Sequence, residues 1–479
     1  MYEQYGIFLD NEITSSRGSL SIDVISPASE AVIGRSTLAV EADIERAVSS
    51  AREAFDRGPW PNMSGEERRR VIQRAGALLS AKSSELSELV CLQNGTTIRS
   101  QPGNVEPTFA FYSSVPLPEE DHRPLPPAMD AVVVREPMGI VAAIVPWNSP
   151  MKLGLGKVIP ALLAGCTVIL KPAPETPLHD YVVAQSFVEA GLPPGALSVV
   201  PADRDVAEHL VRHQGIDMVS FTGSTRAGRQ IGSICGQNIK PVLLELGGKS
   251  AAIVLDDFDI PSRADALLRD AGVLTLNGQA CLASSRILVS SRRYDEVVDA
   301  LVAVMESVRI GDPLDPQSEL GPLVSERQRG RVEGYIEAGR NEGARVAHGG
   351  GRPQGFEKGW YVEPTLFVDA DNSMTISREE IFGPVAVVIE YKDEDEAVRI
   401  ANDSNYGLAG TIFTGDPSRG LSIAKRIRTG CVGVNRSGSN PAVPFGGYKD
   451  SGIGRAQGPE GLSEYFQTKT IGLPFGALS

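Results

Sequence analysis

The sequence holds no run of about 18 consecutive apolar residues, so no membrane-crossing helix is expected. Its opening, MYEQYGIFLDNE, has no basic stretch leading into an apolar one, so no secretory signal is expected and the cytoplasm is the anticipated compartment. Cysteine is scarce. Cys91, Cys166, Cys235, Cys281 and Cys431 are odd in number, widely scattered and without a CxxC pair, which excludes a disulfide framework and fits thiols in a reducing compartment. Histidine is scarcer as a ligand source. Only His209 and His213 stand four apart, with no following Glu and no third ligand nearby, so they read as an ordinary helix face and no metal is expected. Basic charge is in deficit: 46 Lys and Arg against 60 Asp and Glu give a net charge of −14. That field opposes nucleic acid and anionic membranes as partners, while leaving room for a local basic pocket that takes a phosphate ligand. Internal repeats and low-complexity tracts are also missing.

What is present is ordinary globular material, 42% hydrophobic and 22% charged, in a chain of 479 residues that is too long for one core. Two or three domains are expected. After a strand-like opening, Ile44, Ala47, Val48, Ala51 and Phe55 recur at helical spacing within Asp43–Arg57. Ser64 and Glu67 form a capping-box pattern that opens a long helix running towards Leu92, with Asn94-Gly95 as its stop. Residues 116–127 carry five prolines and read as a connector into a strand over Ala131–Val134. From Ile140 onwards, short β-rich runs (Ile140–Val145, Thr167–Leu170, Leu197–Val200, Met218–Phe221) alternate with turns and helical stretches. A second such set begins near Ala251 and includes Arg286–Val289 and Val385–Ile389. Alternation of this kind predicts βαβ units and parallel, doubly wound sheets.

Four segments place reactive or polar groups among glycines and prolines: PWNSP at 146–150, LELGGK at 244–249, NGQAC at 277–281 and EEIFGP at 379–384. Singly, each has a bland reading as a turn, a surface charge or a packed thiol. The joint pattern is more specific. PWNSP, KPAPETP, FTGSTRAG, LELGGKS, GQAC, EEIFGPV, GLAGTIFT and PFGGYKDSGIGR occur in this order over nearly the whole chain, and together they resemble the aldehyde dehydrogenase superfamily.

That resemblance implies an α/β fold of three parts: a Rossmann-like NAD(P)-binding domain (1–118 and 138–247), an α/β catalytic domain (248–450) and a small β oligomerisation flap (119–137 and 463–479). It implies oxidation of an aldehyde to its acid through a thioester on Cys281, and a homo-oligomer, dimer or tetramer. A thiolate supplies the covalent partner from whose adduct hydride leaves. The side-chain amide of Asn148 and the backbone N–H of Cys281 would hold the oxyanion, and losing one such donor typically costs about 3–4 kcal/mol. Glu245 would activate water against the thioester. Relatives that pass the acyl group to coenzyme A usually lack this Glu, so hydrolysis is favoured. Lys157 and Glu460 are candidate supporting groups behind it.

For the cofactor, Gly223, Ser224 and Gly228 follow a strand and open a helix, which suits a pyrophosphate at a helix N-terminus. By resemblance Trp147 lies near the pyrophosphate, Lys171 meets the adenosine ribose, Glu380 the nicotinamide ribose, and Phe382 and Leu246 the nicotinamide. Three departures bear on specificity. Pro174 stands where many NAD-preferring relatives have Glu, with Glu175 one step later; NAD is the favoured cofactor, and this displacement leaves NADP possible. Ser149, Gly156 and Ser439 are small where relatives often carry aromatics. With Leu282 and Phe445 they are the candidate substrate pocket, and their size points to a bulky apolar aldehyde unless Met151, Leu155 or Leu282 refills the space. Two alternatives stand beside this reading. One is a semialdehyde dehydrogenase for an acidic substrate, with Arg436 as its nearby cation; the other is a non-catalytic structural or binding protein on the same scaffold.

Overall fold

The computed structural model describes residues 2–4 and 6–477. Its first large sheet has eight strands, in the order Gly452–Ile453, Val242–Glu245, Met218–Thr222, Ile140–Ile144, Thr167–Lys171, Leu197–Val199, Ile7–Leu9 and Glu12–Thr14. The five from Val242–Glu245 to Leu197–Val199 are parallel, and antiparallel strands close both flanks. Their unbroken β-branched and aliphatic runs are buried on both faces, as a parallel sheet under two helical layers requires. The chain leaves Ile140–Ile144 in one direction for two strands, then returns to build Met218–Thr222 on its other side. This reversal opens a crevice at the C-terminal ends of the two strands, the place where open α/β sheets take ligands.

The second sheet has seven strands, ordered Arg345–His348, Thr365–Ala370, Val385–Tyr391, Arg286–Ser290, Ala251–Val254, Ala409–Phe413 and Cys431–Val434. All neighbours are parallel except the first pair. Only residues 246–250 separate Val242–Glu245 from Ala251–Val254. The C-terminal edge of one sheet therefore meets the N-terminal edge of the other, and the candidate residues gather at that seam.

The helical opening differs from expectation at one point. The capping box forms, with Glu67 Oε2 accepting from the Ser64 N–H at 2.8 Å, but the helix Gly65–Ala81 stops and a second helix runs Ser83–Asn94. Lys82 leaves helical geometry just before Ser83 and Ser84, whose hydroxyls compete with helix bonding; Ser83 Oγ donates to Gly103 O at 3.2 Å. The proline-rich connector contains a strand, Asp121–Leu125. It joins Met129–Pro137 and Phe466–Leu473 in a three-stranded antiparallel sheet. Pairing of 131–134 with 468–471 between subunits, which an oligomerisation flap would suggest, is not what the structure shows. They pair within one chain, Thr470 opposite Val133 and Ile471 opposite Val132, which leaves the outer edges of this sheet open.

Candidate active site

Cys281 is presented by a strained loop. Leu276 and Asn277 have φ of 52° and 59°, and Gly278 follows at 75°. A side chain at Gly278 would fall 2.2 Å from the backbone of Gly383 and Pro384, so only glycine lets the NGQAC and EEIFGP loops stack. Side-chain amides hold the strain. Asn277 Nδ2 donates to Gly95 O and Pro322 O, each at 2.8 Å, and its Oδ1 accepts from the Gly321 N–H at 2.8 Å. The Asn148 amide donates to Gln279 O at 2.8 Å, two residues before Cys281. One N–H of that amide is thereby fixed, and among the described residues the other has no partner. Asn94 steadies this group from behind, donating to Trp147 O and Asn148 O, each at 3.2 Å. In the sequence Asn94 is legible only as a helix stop.

Glu245 ends its strand 5% exposed, and neither carboxylate oxygen has a hydrogen-bond partner among the described residues. Burial pushes its carboxyl up to about 8, against the pull of the nearby Lys157 and Arg455. Lys157, itself fully enclosed, is driven the other way by the same cause. Its Nζ donates to Ser220 Oγ at 3.1 Å, and Ser220 in turn meets the Tyr465 hydroxyl at 3.2 Å. The thiol of Cys281 is raised to about 12, first by burial and then by the carboxylates of Glu380 and Glu245, with the Cys281 and Leu282 backbone N–H groups opposing. Burial thus favours the neutral form of both the thiol and the carboxyl group.

Cys281, Glu245, Asn148 and Lys157 line one cavity of about 490 Å³, and Ser149, Gly156, Leu282, Ser439 and Phe445 line it with them. All five candidate pocket positions thus come together. The space at Gly156 is real: nothing lies within 4 Å of where a Cβ would stand. Met151 and Leu282 form part of the wall without closing it, while Leu155 points into the core. Two expected residues are elsewhere. Glu460 sits exposed in the first turn of the helix Gly458–Ser463, away from the cavity wall, because Gln457 and Ala456 occupy that stretch of the lining. Gln457 adopts φ 62° and buries a side-chain oxygen that has no partner; nothing in its sequence context signals this. Arg436 is exposed and outside the cavity, and Lys152 and Lys157 are the cations that line it.

The crevice of the first sheet leads into this site. At its far end a slot of about 380 Å³ is lined by Lys171, Pro174, Glu175, Phe221 and Ile231, among others. Burial holds Lys171 well below the usual lysine range, and the Glu175 carboxylate accepts from Arg327 Nη2 at 3.1 Å on the slot's rim. Gly223 and Ser224 then open the 13-residue helix Thr225–Gln237, whose second turn places Gly228 beneath the Leu246 side chain. Ser224 is occupied as N-cap, its Oγ accepting from the Ala227 N–H at 3.3 Å, so the remaining donors of that end are backbone N–H groups. Nearer Cys281, Trp147 and Phe382 meet edge to face at 5.3 Å between ring centroids, and Phe382 is held at φ 63°. Glu380 Oε1 accepts from the Gly248 N–H at 3.0 Å. A long slot, a helix N-terminus and an aromatic corner in sequence fit an adenosine, a pyrophosphate and a nicotinamide riboside.

Known proteins share this arrangement. The profile of the aldehyde dehydrogenase family matches residues 13–471. Geranial dehydrogenase of Castellaniella defragrans is 42% identical over 97% of this chain and 98% of its own. The 3-succinoylsemialdehyde-pyridine dehydrogenase of a Pseudomonas species is 37% identical over 97% of each. Among solved structures, an aldehyde dehydrogenase of Mycobacterium tuberculosis complexed with NAD+ superposes with a TM-score of 0.95 at 42% identity, covering 99% of each chain. One from Pseudomonas syringae, complexed with NAD+ and octanal, gives 0.94 at 37% identity, covering 99% of this chain and 97% of that one. The chain belongs to the aldehyde dehydrogenase family.

Proposed function

We propose that this protein oxidises a bulky, largely apolar aldehyde to its carboxylic acid with NAD+, through a thioester on Cys281. The observation that carries this reading is the shared cavity, in which Cys281, Glu245 and Asn148 face about 490 Å³ of space left open at Gly156. The Cys281 sulfur, its proton passed to solvent in the cavity, attacks the carbonyl carbon, and the C=O π bond opens onto oxygen as the C–S bond forms. The free N–H of Asn148 and the backbone N–H of Cys281 take up the resulting oxyanion. Bound NAD+ supplies the hydride acceptor, held by Lys171, the Gly223–Gly228 turn, Trp147, Leu246, Glu380 and Phe382. Glu245 in its charged form then takes a proton from water as the water oxygen attacks the thioester, and the C–S bond breaks to return Cys281. Lys157, hydrogen-bonded to Ser220 rather than to Glu245, favours that charged form electrostatically.

Both the open space and the geranial substrate named for one relative support a bulky aldehyde. Each extra buried methylene contributes about 0.8 kcal/mol, so several give a preference of roughly tenfold or more. The test is kcat/KM, read from the absorbance of the reduced cofactor, along a series from acetaldehyde through hexanal to an aromatic and a terpenoid aldehyde. We expect a rising series with NAD+ and a lower rate with NADP+, since Glu175 meets the 2′-phosphate with like charge. A flat or falling series overturns the substrate class, and silence with every aldehyde overturns the activity.

A further inference from the structure

The substrate cavity carries a charge that oxidation of a purely apolar aldehyde does not use. Lys152 lies in the first turn of the helix Pro150–Ala164, on the face that also presents Ser149, Gly156 and Lys157 to the cavity. Among the described residues it forms no hydrogen bond and no ion pair. Among the described residues Glu245 is the only carboxylate in the cavity lining, and Lys157, the other cation, is already bonded to Ser220. Around Lys152 the wall offers neutral polar groups from Gln101 and Asn104 and apolar surface from Met151, Leu276 and Leu282. The enclosing walls hold its amine below the usual lysine range, while proximity to Cys281 pulls the other way. The Lys152 side chain is exposed to the space it lines, and a cation on a cavity wall without a counter-ion is a binding group open to an anion. The protein's charge of −14 repels anions at long range, so a local attraction of this kind must be short-ranged and specific.

We infer that Lys152 selects aldehydes that carry a carboxylate at the end remote from the carbonyl, the apolar walls taking the chain between the two. This inference rests on the function proposed above and narrows its substrate class to amphipathic aldehydes. The ammonium pairs with the carboxylate while the aldehyde carbon meets Cys281. The spacing between the two ends is then fixed by the protein, so one chain length is favoured over its neighbours.

The experiment compares straight-chain ω-carboxyl aldehydes of increasing length with the alkanals of matching length, with NAD+. It uses the native protein, Lys152→Met and Lys152→Arg. In the native protein we expect at least one length at which the carboxylate member has a kcat/KM about tenfold above its alkanal. Lys152→Met should bring that ratio to one or below, and Lys152→Arg should restore most of it. A parallel readout is competitive inhibition by unreactive dicarboxylates against monocarboxylates of the same length, which should lose its preference in Lys152→Met. Turnover of alkanals with no carboxylate preference at any length overturns this inference alone. A preference that survives in Lys152→Met does the same. Inactivity of the native protein with every aldehyde overturns both it and the function on which it rests.

Discussion

Withdrawing Glu245 from water costs more than Lys157 and Arg455 repay, and its carboxyl is raised above the usual carboxylate range. Its folded-state pKa is raised, so the charged base becomes more abundant as pH rises past the usual carboxylate range. Steady-state turnover is therefore expected to climb between about pH 6 and about pH 9 where thioester hydrolysis limits the rate. Glu245→Gln removes the base and should leave one burst of reduced cofactor per site, followed by turnover slowed by about a hundredfold or more and stripped of that pH dependence. Rapid-mixing absorbance measures both phases; equal losses in burst and steady rate would assign Glu245 to the thiol step instead. Cys281→Ala should abolish the burst while NAD+ binding, followed by protein fluorescence, persists. At this scale the sequence was informative where chemistry demands one residue type. Cys281, Glu245 and Asn148 stand in distinctive motifs, whereas Gln457 and Asn94 act through backbone geometry and long-range contacts that no local pattern records.

The helix Pro150–Ala164 divides its faces with helical period. Ser149, Lys152, Leu153, Gly156 and Lys157 line the cavity, while Leu155, Val158, Ile159 and Leu162 pack into the core. Gly156→Trp places an indole on the open face without touching the packed one. It should lower kcat/KM for aromatic and terpenoid aldehydes by about tenfold and spare acetaldehyde. Replacing a helical glycine also adds intrinsic stability of up to about 1 kcal/mol, so the thermal midpoint should hold or rise. A uniform loss across all aldehydes would show that the helix, not the space, had been altered. The strands were readable for a related reason: Ile140–Ile144, Thr167–Lys171 and Met218–Thr222 are mostly apolar and buried along their whole length because both faces are covered. Two features escaped. Lys82 breaks a pattern whose apolar period continues across it, and Asp121–Leu125 pairs despite its proline because it lies at an edge.

Among the described residues the β structure forms five sheets, of eight, seven, three, three and two strands, and the sheet of Asp121–Leu125, Met129–Pro137 and Phe466–Leu473 has widely exposed outer strands. Every residue of Asp121–Leu125 is exposed, as are most of Phe466–Leu473, with Ile471 43% exposed. Exposed edges of this kind pair with other chains unless covered. A homo-oligomer, dimer or tetramer, is the expected state, with these edges joining copies of the chain. Sedimentation at micromolar concentration measures it, and a stable monomer would count against it. The same topology has a consequence for biogenesis. Val242–Glu245 receives its outer neighbour only from residues 452–453, and Met129–Pro137 pairs with residues 466–473. A ribosome must therefore release almost the entire polypeptide before either edge is sealed. Until then the nascent chain displays two incomplete sheet margins, which makes slow or interrupted translation an aggregation hazard.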